Sequence, residues 1–303
     1  MTPAQPGDGI GFDGETSVAA AVSAMARVFR AAGIESAEID ARFLVQGILE
    51  LDAAALFADP GRRLGVRAAQ LNEAVRRHLG HEPVSRILGR RDFYGRRFEI
   101  TPDVLDPRPE SETLVEAALE IVDENGWREA PITIADIGTG SGILIITLLA
   151  LLPRARGIAT DVSAAALCVA ERNARRIGVG ADRIAFTHAS GLGSGSGVAM
   201  GAIDLVVSNP PYIPTAGIAA LDPGVRSFDP LLALDGGGDG LQIYREIANE
   251  INWLNCSLWV ALEVGAGQAD DVAAIFSTIG GRKLKRRADL GGHCRVVALE
   301  IHR

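Results

Sequence analysis

Five residues, Gly138-Thr139-Gly140-Ser141-Gly142, join a short apolar run, Ile132–Ile137, to a helical run that ends at Pro153. A strand that turns through alternate glycines straight into a helix commits the next strand to return parallel. The downstream rhythm agrees. Gly157–Asp161, Ile184–His188 and Ile203–Ser208 read as strands, with a helix over Ala164–Ile177. Leu241–Trp253 reads as a helix, Leu258–Val264 as a strand and Gln268–Ile279 as a helix. Strands near Leu284–Arg287 and Arg295–Ile301 follow with no helix between them. Repeated strand–helix units predict an α/β fold with a mostly parallel sheet covered on both faces. The closing pair breaks the parallel pattern.

The front of the chain has a different rhythm. Residues 1–15 are rich in Gly, Pro and Asp and read as a disordered lead-in. Val18, Val22, Met25 and Phe29 recur at helical spacing, as do Ile39, Phe43, Leu44 and Ile48, then Leu71, Val75 and Leu79. Residues 16–85 are therefore expected to form a small all-helical domain. Residues 86–110 read as a linker: a hairpin over Phe93–Ile100, turning at Gly95, then an extended stretch held by Pro102, Pro107 and Pro109. A helix with carboxylates in its first turn starts at Ser111, opening a domain over residues 111–303.

Composition narrows the classes of function. A chain of 303 residues with 48 % hydrophobic residues buries a core without staples. Cys168, Cys256 and Cys294 lie too far apart for a disulfide framework or a familiar zinc spacing. The histidines, His78 and His81 included, form no metal set and are expected on the surface or at caps. Trp127, Trp253 and Trp259 read as core or near-core. The net charge of −8 argues against a general nucleic-acid binder. The one basic run, Arg282–Arg287, reads as a solvated edge strand whose charges block aggregation. The longest apolar run, Ile143–Leu152, is far shorter than the ~20 residues a membrane span needs. No secretory leader is evident, so a cytoplasmic location is expected.

Two motifs carry chemistry. The glycine turn exposes helix N-terminal N–H groups to a ligand, with Asp136 just ahead of it and Asp161 closing the second strand. A carboxylate there can accept from both hydroxyls of a ribose. The second motif is Asn209-Pro210-Pro211-Tyr212, directly after the fourth strand. An amide or exocyclic NH2 group is a poor nucleophile because its lone pair is delocalised. The Asn209 side-chain oxygen and the Pro210 carbonyl can grip its two N–H bonds, while Tyr212 supplies a flat wall.

Together these motifs resemble the amino-methylating branch of the S-adenosylmethionine-dependent methyltransferases. Further segments narrow the resemblance to the release-factor glutamine N5-methyltransferases: Phe93-Tyr94-Gly95, Leu105 to Glu112 (LDPRPESE), Val225 to Pro230 (VRSFDP), Asp239-Gly240-Leu241, Leu262-Glu263-Val264-Gly265 with Gln268, and Asp289 to Gly292. The resemblance spans about residues 35–303. It implies a Rossmann-like class I methyltransferase domain with a seven-stranded, mostly parallel sheet, behind a helical domain that engages a class I peptide chain release factor. It places S-adenosyl-L-methionine on Asp136, Gly138, Thr139, Gly140, Ser141, Gly142, Asp161, Gly191 and Asn209. It assigns the substrate glutamine amide to Asn209, Pro210, Pro211 and Tyr212. Arg108, pinned between Pro107 and Pro109, reads as an anchor either of domains or of substrate. Asn209, Pro210 and Tyr212 are the expected catalytic residues, and no metal is expected. One departure concerns adenine: where family members carry an acidic residue followed by a bulky one, this chain reads Ser190-Gly191. Other readings are methylation of a ribosomal-protein glutamine, of an amino group in nucleic acid, or a release-factor-binding module without activity. Nucleic acid is disfavoured by the negative charge, and the inactive module by the intact Asn209–Tyr212.

Overall fold

The computed structural model describes residues 11–193, 203–254, 256–289 and 291–302. The chain divides into two compact units, Met1–Gly89 and Arg90–Arg303.

The first unit is helical: α1 (Val18–Ala31), α2 (Ala37–Leu49), α3 (Ala53–Ala58), α4 (Ala68–Leu79) and α5 (Val84–Leu88). Ser17 caps α1 by accepting the Ala20 N–H, and Asp52 caps α3 by accepting from Ala55. The core is built from Met25 and Phe29 of α1, Leu44 and Val45 of α2, and Leu71 and Val75 of α4. The pattern expected for α2 is out of phase. Ile39 and Phe43 are 50 % and 53 % exposed, and Ala37, Ala41, Leu44 and Val45 face inward instead. Alanines let α2 lie close to α1, so the buried stripe is marked by small residues rather than by large ones. His78 is buried, edge-on to Phe29, with Nε2 3.2 Å from Asp40 Oδ2 and Nδ1 2.9 Å from the Glu82 carbonyl. The expected surface or cap role is therefore wrong for this histidine.

Two boundaries move. Residues 1–10 of the expected lead-in lie outside the described residues, and the rest of it, from Gly11, is tied to the helical unit. The Phe12 N–H donates to Asn72 Oδ1 at 2.8 Å, and Asn72 Nδ2 returns a bond to the Phe12 carbonyl at 2.9 Å. At the other end, α5 carries the helical unit through residue 85 to Gly89, whose φ of 65° ends the helix.

The second unit begins with the hairpin β1 (Arg90–Phe93) and β2 (Arg96–Glu99), closed by Tyr94 and Gly95 at φ 48° and 72°. Positive φ at both turn residues matches the strand twist, which is why glycine stands second. Then come α6 (Glu112–Glu124), β3 (Thr133–Ile137), α7 (Ile143–Leu151), β4 (Arg156–Asp161), α8 (Ala164–Ile177), β5 (Ile184–His188), β6 (Leu205–Ser208), α9 (Pro223–Arg226), α10 (Gln242–Trp253), β7 (Leu258–Glu263), α11 (Ala269–Ser277), β8 (Gly281–Ala288) and β9 (Cys294–Ile301). The hairpin is not a free linker. Glu112 Oε1 accepts the Tyr94 N–H at 2.8 Å, and buried Asn173 of α8 exchanges two hydrogen bonds with the backbone of Glu99.

Among the described residues, seven strands form one sheet in the order β5-β4-β3-β6-β7-β9-β8. The first five are parallel, and β9 and β8 are antiparallel. One layer of core packs α6, α7 and α8 on the sheet, and the other packs α10 and α11. Strand order reverses between β3 and β6, which opens a crevice at their carboxyl ends. The basic run is the edge strand β8. Lys285 pairs with Glu120 and Glu124, Arg287 with Glu116 and Glu120, and Arg286 with Asp270. Of the tryptophans, Trp259 is buried but Trp253, at the end of α10, is 87 % exposed, against expectation.

Candidate active site

The glycine turn leaves β3 with Gly138, Gly140 and Gly142 at φ 71°, 55° and 78°. A Cβ on Gly138 or Gly140 would meet nothing within 4 Å, so it is backbone conformation rather than crowding that requires glycine there. The turn is latched to β4. Gly138 and Thr139 both donate to the Thr160 carbonyl at 2.9 Å, and the Gly140 N–H donates to Asp161 Oδ2 at 2.8 Å. Asp161 Oδ1 accepts the Ser163 N–H at 2.8 Å. Each Asp161 oxygen thus holds one backbone N–H and keeps a further lone pair. Asp161 shapes the turn as well as facing the crevice.

Asp136 lies beneath the turn. It is buried, and Oδ2 accepts from Thr139 Oγ1 at 2.7 Å. Burial pushes its carboxyl up to about 7, with nearby Asp161 adding to the effect and the bonds from Thr139 and the Ile145 backbone opposing it.

At the neighbouring strand end, Ser208 Oγ donates to the Ile137 carbonyl at 2.6 Å and ties β6 to β3. Asn209 follows. Its Nδ2 donates to Ser111 Oγ at 3.3 Å, and Ser111 Oγ donates to Glu263 Oε2 at 2.6 Å. This relay turns the Asn209 amide so that Oδ1 remains as a free acceptor. Glu263 closes β7 and is almost wholly buried; burial pushes its carboxyl up to about 7, against the Ser111 bond and nearby Arg295. Tyr212 is half-buried, and desolvation raises its hydroxyl pKa. Gln268 sews the loop down: Nε2 donates to the Tyr212 carbonyl at 3.0 Å, and Oε1 accepts the Gly265 N–H at 3.0 Å.

A cavity of about 560 Å³ joins the two motifs. Gly138, Thr139, Gly140, Ser141, Asp161 and Gly191 line one part, and Asn209, Pro210 and Pro211 another. Asp136, Gly142, Tyr212 and Arg108 are not in its wall. Gly142 starts α7, where a Cβ would press on Ile146 and Ala170. Arg108, read as an anchor either of domains or of substrate, has Nη2 2.6 Å from Asp229 Oδ2. Asp229 Oδ1 also accepts the Asp106 N–H at 3.0 Å, so the proline segment is locked to the loop before Pro230.

Comparison with known proteins decides the family. A release factor glutamine methyltransferase from Rhodospirillum rubrum is 43 % identical over 268 residues, covering 88 % of this chain and 79 % of that protein. One from Bradyrhizobium diazoefficiens is 41 % identical over 291 residues, 95 % of each. The chain belongs to the release factor glutamine methyltransferase family. Family models agree in both units, the PrmC N-terminal domain over residues 20–89 and the methyltransferase small domain over residues 116–220. Among solved structures, the hMettl16 catalytic domain in complex with MAT2A 3'UTR hairpin 6 shares the fold, with a TM-score of 0.54 at 16 % identity over 68 % of this chain and 76 % of that one.

The cradle fits the S-adenosyl cofactor of this methyltransferase family. The open glycine turn leaves room for it, and the spare lone pairs of Asp161 suit a ribose. Ser111, Glu263 and Gln268 were missed as functional residues. Glu263 had one signal, a carboxylate in the otherwise apolar run Leu258–Val264.

Proposed function

We propose that this enzyme transfers a methyl group from S-adenosylmethionine to the side-chain amide nitrogen of a glutamine in a class I peptide chain release factor. The observation that carries the reading is the Asn209 amide, held by Ser111 with Oδ1 left to accept, in the same cavity as the glycine turn.

When bound, S-adenosylmethionine supplies an electrophilic methyl carbon on a sulfonium. The Asn209 Oδ1 and the Pro210 carbonyl accept the two N–H bonds of the substrate amide. Held so, the amide nitrogen would be aimed at the methyl group that the cofactor would supply, in a cleft that limits its other orientations. Once alkylated, that nitrogen would release its proton to water. That nitrogen is far more acidic than the free amide, so no dedicated base is needed. The two prolines keep the Pro210 carbonyl rigid, and half-buried Tyr212 backs the loop.

The helical unit is the proposed docking element for the release factor. No helix among the described residues is long and apolar enough to cross a membrane. The proposed place of action is the cytoplasm, where release factors meet ribosomes. The test is methyl transfer from labelled S-adenosylmethionine to purified release factor, ribosomal protein and DNA in parallel. Label on the release factor, lost when its glutamine is replaced, is the expected result. Label on nucleic acid alone would overturn the reading.

A further inference from the structure

The mouth of the cavity carries a surface that neither the glycine turn nor Asn209 uses. After Tyr212 the chain makes an excursion over residues 213–235 and returns to where it left. Ile213 and Asp235 pair at its neck. The Ile213 N–H donates to the Leu234 carbonyl at 3.1 Å, and the Gly236 N–H donates to the Ile213 carbonyl at 2.8 Å. The neck presses on the loop that carries Asn209: a Cβ on Gly236 would lie 2.8 Å from both the Pro211 carbonyl oxygen and the Tyr212 Cα. Further along, Asp229 is bound to Arg108, three residues before the Ser111 that holds Asn209. These two attachments set the single 3-10 turn Leu231–Ala233 on the Asn209 side of the cavity.

Leu231 and Leu232 line the cavity and yet are 59 % and 71 % exposed. A lone exposed leucine needs no explanation, but two neighbours at the lip of a cavity form an apolar patch that a ligand can cover. Two carboxylates flank them in the cavity wall, Asp235 and Glu246. The Asp235 N–H donates to the Leu231 carbonyl at 3.0 Å, which places this acid against the leucine turn. Its side chain accepts from Thr215 Oγ1 at 2.7 Å and from the Gly237 N–H at 3.0 Å, and these bonds hold its carboxyl below the ordinary range. Glu246, on α10, accepts from Gln242 at 2.9 Å. All three donors are neutral, so both negative charges persist. No Lys, Arg or His among the described residues lines the cavity.

We propose that Leu231, Leu232, Asp235 and Glu246 form a docking rim for the segment of the protein substrate that flanks its acceptor glutamine, apolar where it meets the leucines and basic where it passes the carboxylates. This rests on the reading above that the acceptor is a protein glutamine. A side-chain amide reaches Asn209 from a backbone that stays at the mouth, so the residues beside that glutamine cross the lip. A phosphodiester chain would bring negative charge against Asp235 and Glu246, the opposite of what the rim attracts.

The test is steady-state methyl transfer to purified release factor at saturating S-adenosylmethionine, with S-adenosylhomocysteine affinity measured by calorimetry alongside. Leu231→Ser/Leu232→Ser should raise KM for the release factor ~tenfold, through the lost burial of two leucines. Its kcat should stay within a few-fold of wild type, and its S-adenosylhomocysteine affinity should be unchanged. Asp235→Asn/Glu246→Gln keeps acceptors for the neutral donors and should also raise KM. It should flatten the rise of KM with salt that wild type shows, whereas the leucine variant should keep that rise. A general loss of fold would not divide the two variants in this way, and melting curves identify any variant that is not folded. Unchanged KM in both folded variants overturns the proposal. A fall in S-adenosylhomocysteine affinity with KM unchanged also overturns it, and would put the rim over the cofactor. If wild type methylates no release factor, the functional reading itself fails, and this proposal with it.

Discussion

Ser111 donates to the Glu263 carboxylate across 2.6 Å, although 152 residues separate the two in sequence. Ser111 also accepts from Asn209, so a buried acid on β7 sets the orientation of an amide on the loop after β6. Ser111→Ala should therefore lower kcat by a few-fold to about tenfold, the worth of one hydrogen bond, and leave S-adenosylhomocysteine affinity unchanged. Ser111→Thr keeps the hydroxyl and should recover most of the rate. Equal kcat in the alanine variant and wild type would remove Ser111 from the relay.

Asn209→Ala removes the acceptor itself. By comparison with deletion of one oxyanion-hole donor, kcat should fall by about 10²–10³. Cofactor affinity, measured calorimetrically, should stay within a few-fold. Substantial turnover in this variant would mean that the amide is held elsewhere.

Glu263 makes stability depend on pH. Its folded pKa of about 7 lies above the ordinary 4.5, so between those values the folded chain keeps a proton that the unfolded chain has released. Stability from this group is complete below pH 4.5 and is lost as pH rises through about 7. At ~1.4 kcal/mol per unit, the ceiling is on the order of 3 kcal/mol. Glu263→Gln still accepts from Ser111 and has nothing to titrate. The melting temperature of the variant relative to wild type should thus climb from pH 5 to pH 8. A pH-independent difference would contradict the raised pKa.

Asp161→Ala should weaken S-adenosylhomocysteine at least ~tenfold, through lost ribose bonds of ~1.5–3 kcal/mol each before compensation. Because Asp161 also holds the Gly140 and Ser163 N–H groups, the glycine turn should loosen as well. Amide exchange at Gly140 should rise in the unliganded variant. Asp161→Asn keeps one acceptor and should be milder on both counts.

What could be read from sequence was local. The glycine turn and Asn209–Tyr212 each sit at a strand end, and the alternation of elements dictates where strand ends lie. The partners that make those motifs work are distant in sequence. Nothing near Asn209 points to Ser111 or Glu263. The pairing of Arg108 with Asp229 was out of reach for the same reason, since it closes over 121 positions. In α2 the error was one of weighting. Periodicity favoured Ile39 and Phe43, whereas close helix packing selected Ala37 and Ala41.

Asn173 has a consequence for where the catalytic part of the chain begins. Besides gripping Glu99 on the hairpin, its Nδ2 donates to the Ser141 carbonyl at 2.9 Å, inside the glycine turn. The hairpin thus buttresses the cofactor cradle through a single side chain. A fragment cut at residue 111 would open this joint to water and strand part of the Asn173 amide. Cut at Arg90, the joint stays whole. The cofactor cradle is therefore whole only in a fragment that starts one hairpin earlier than the first helix of the α/β layer.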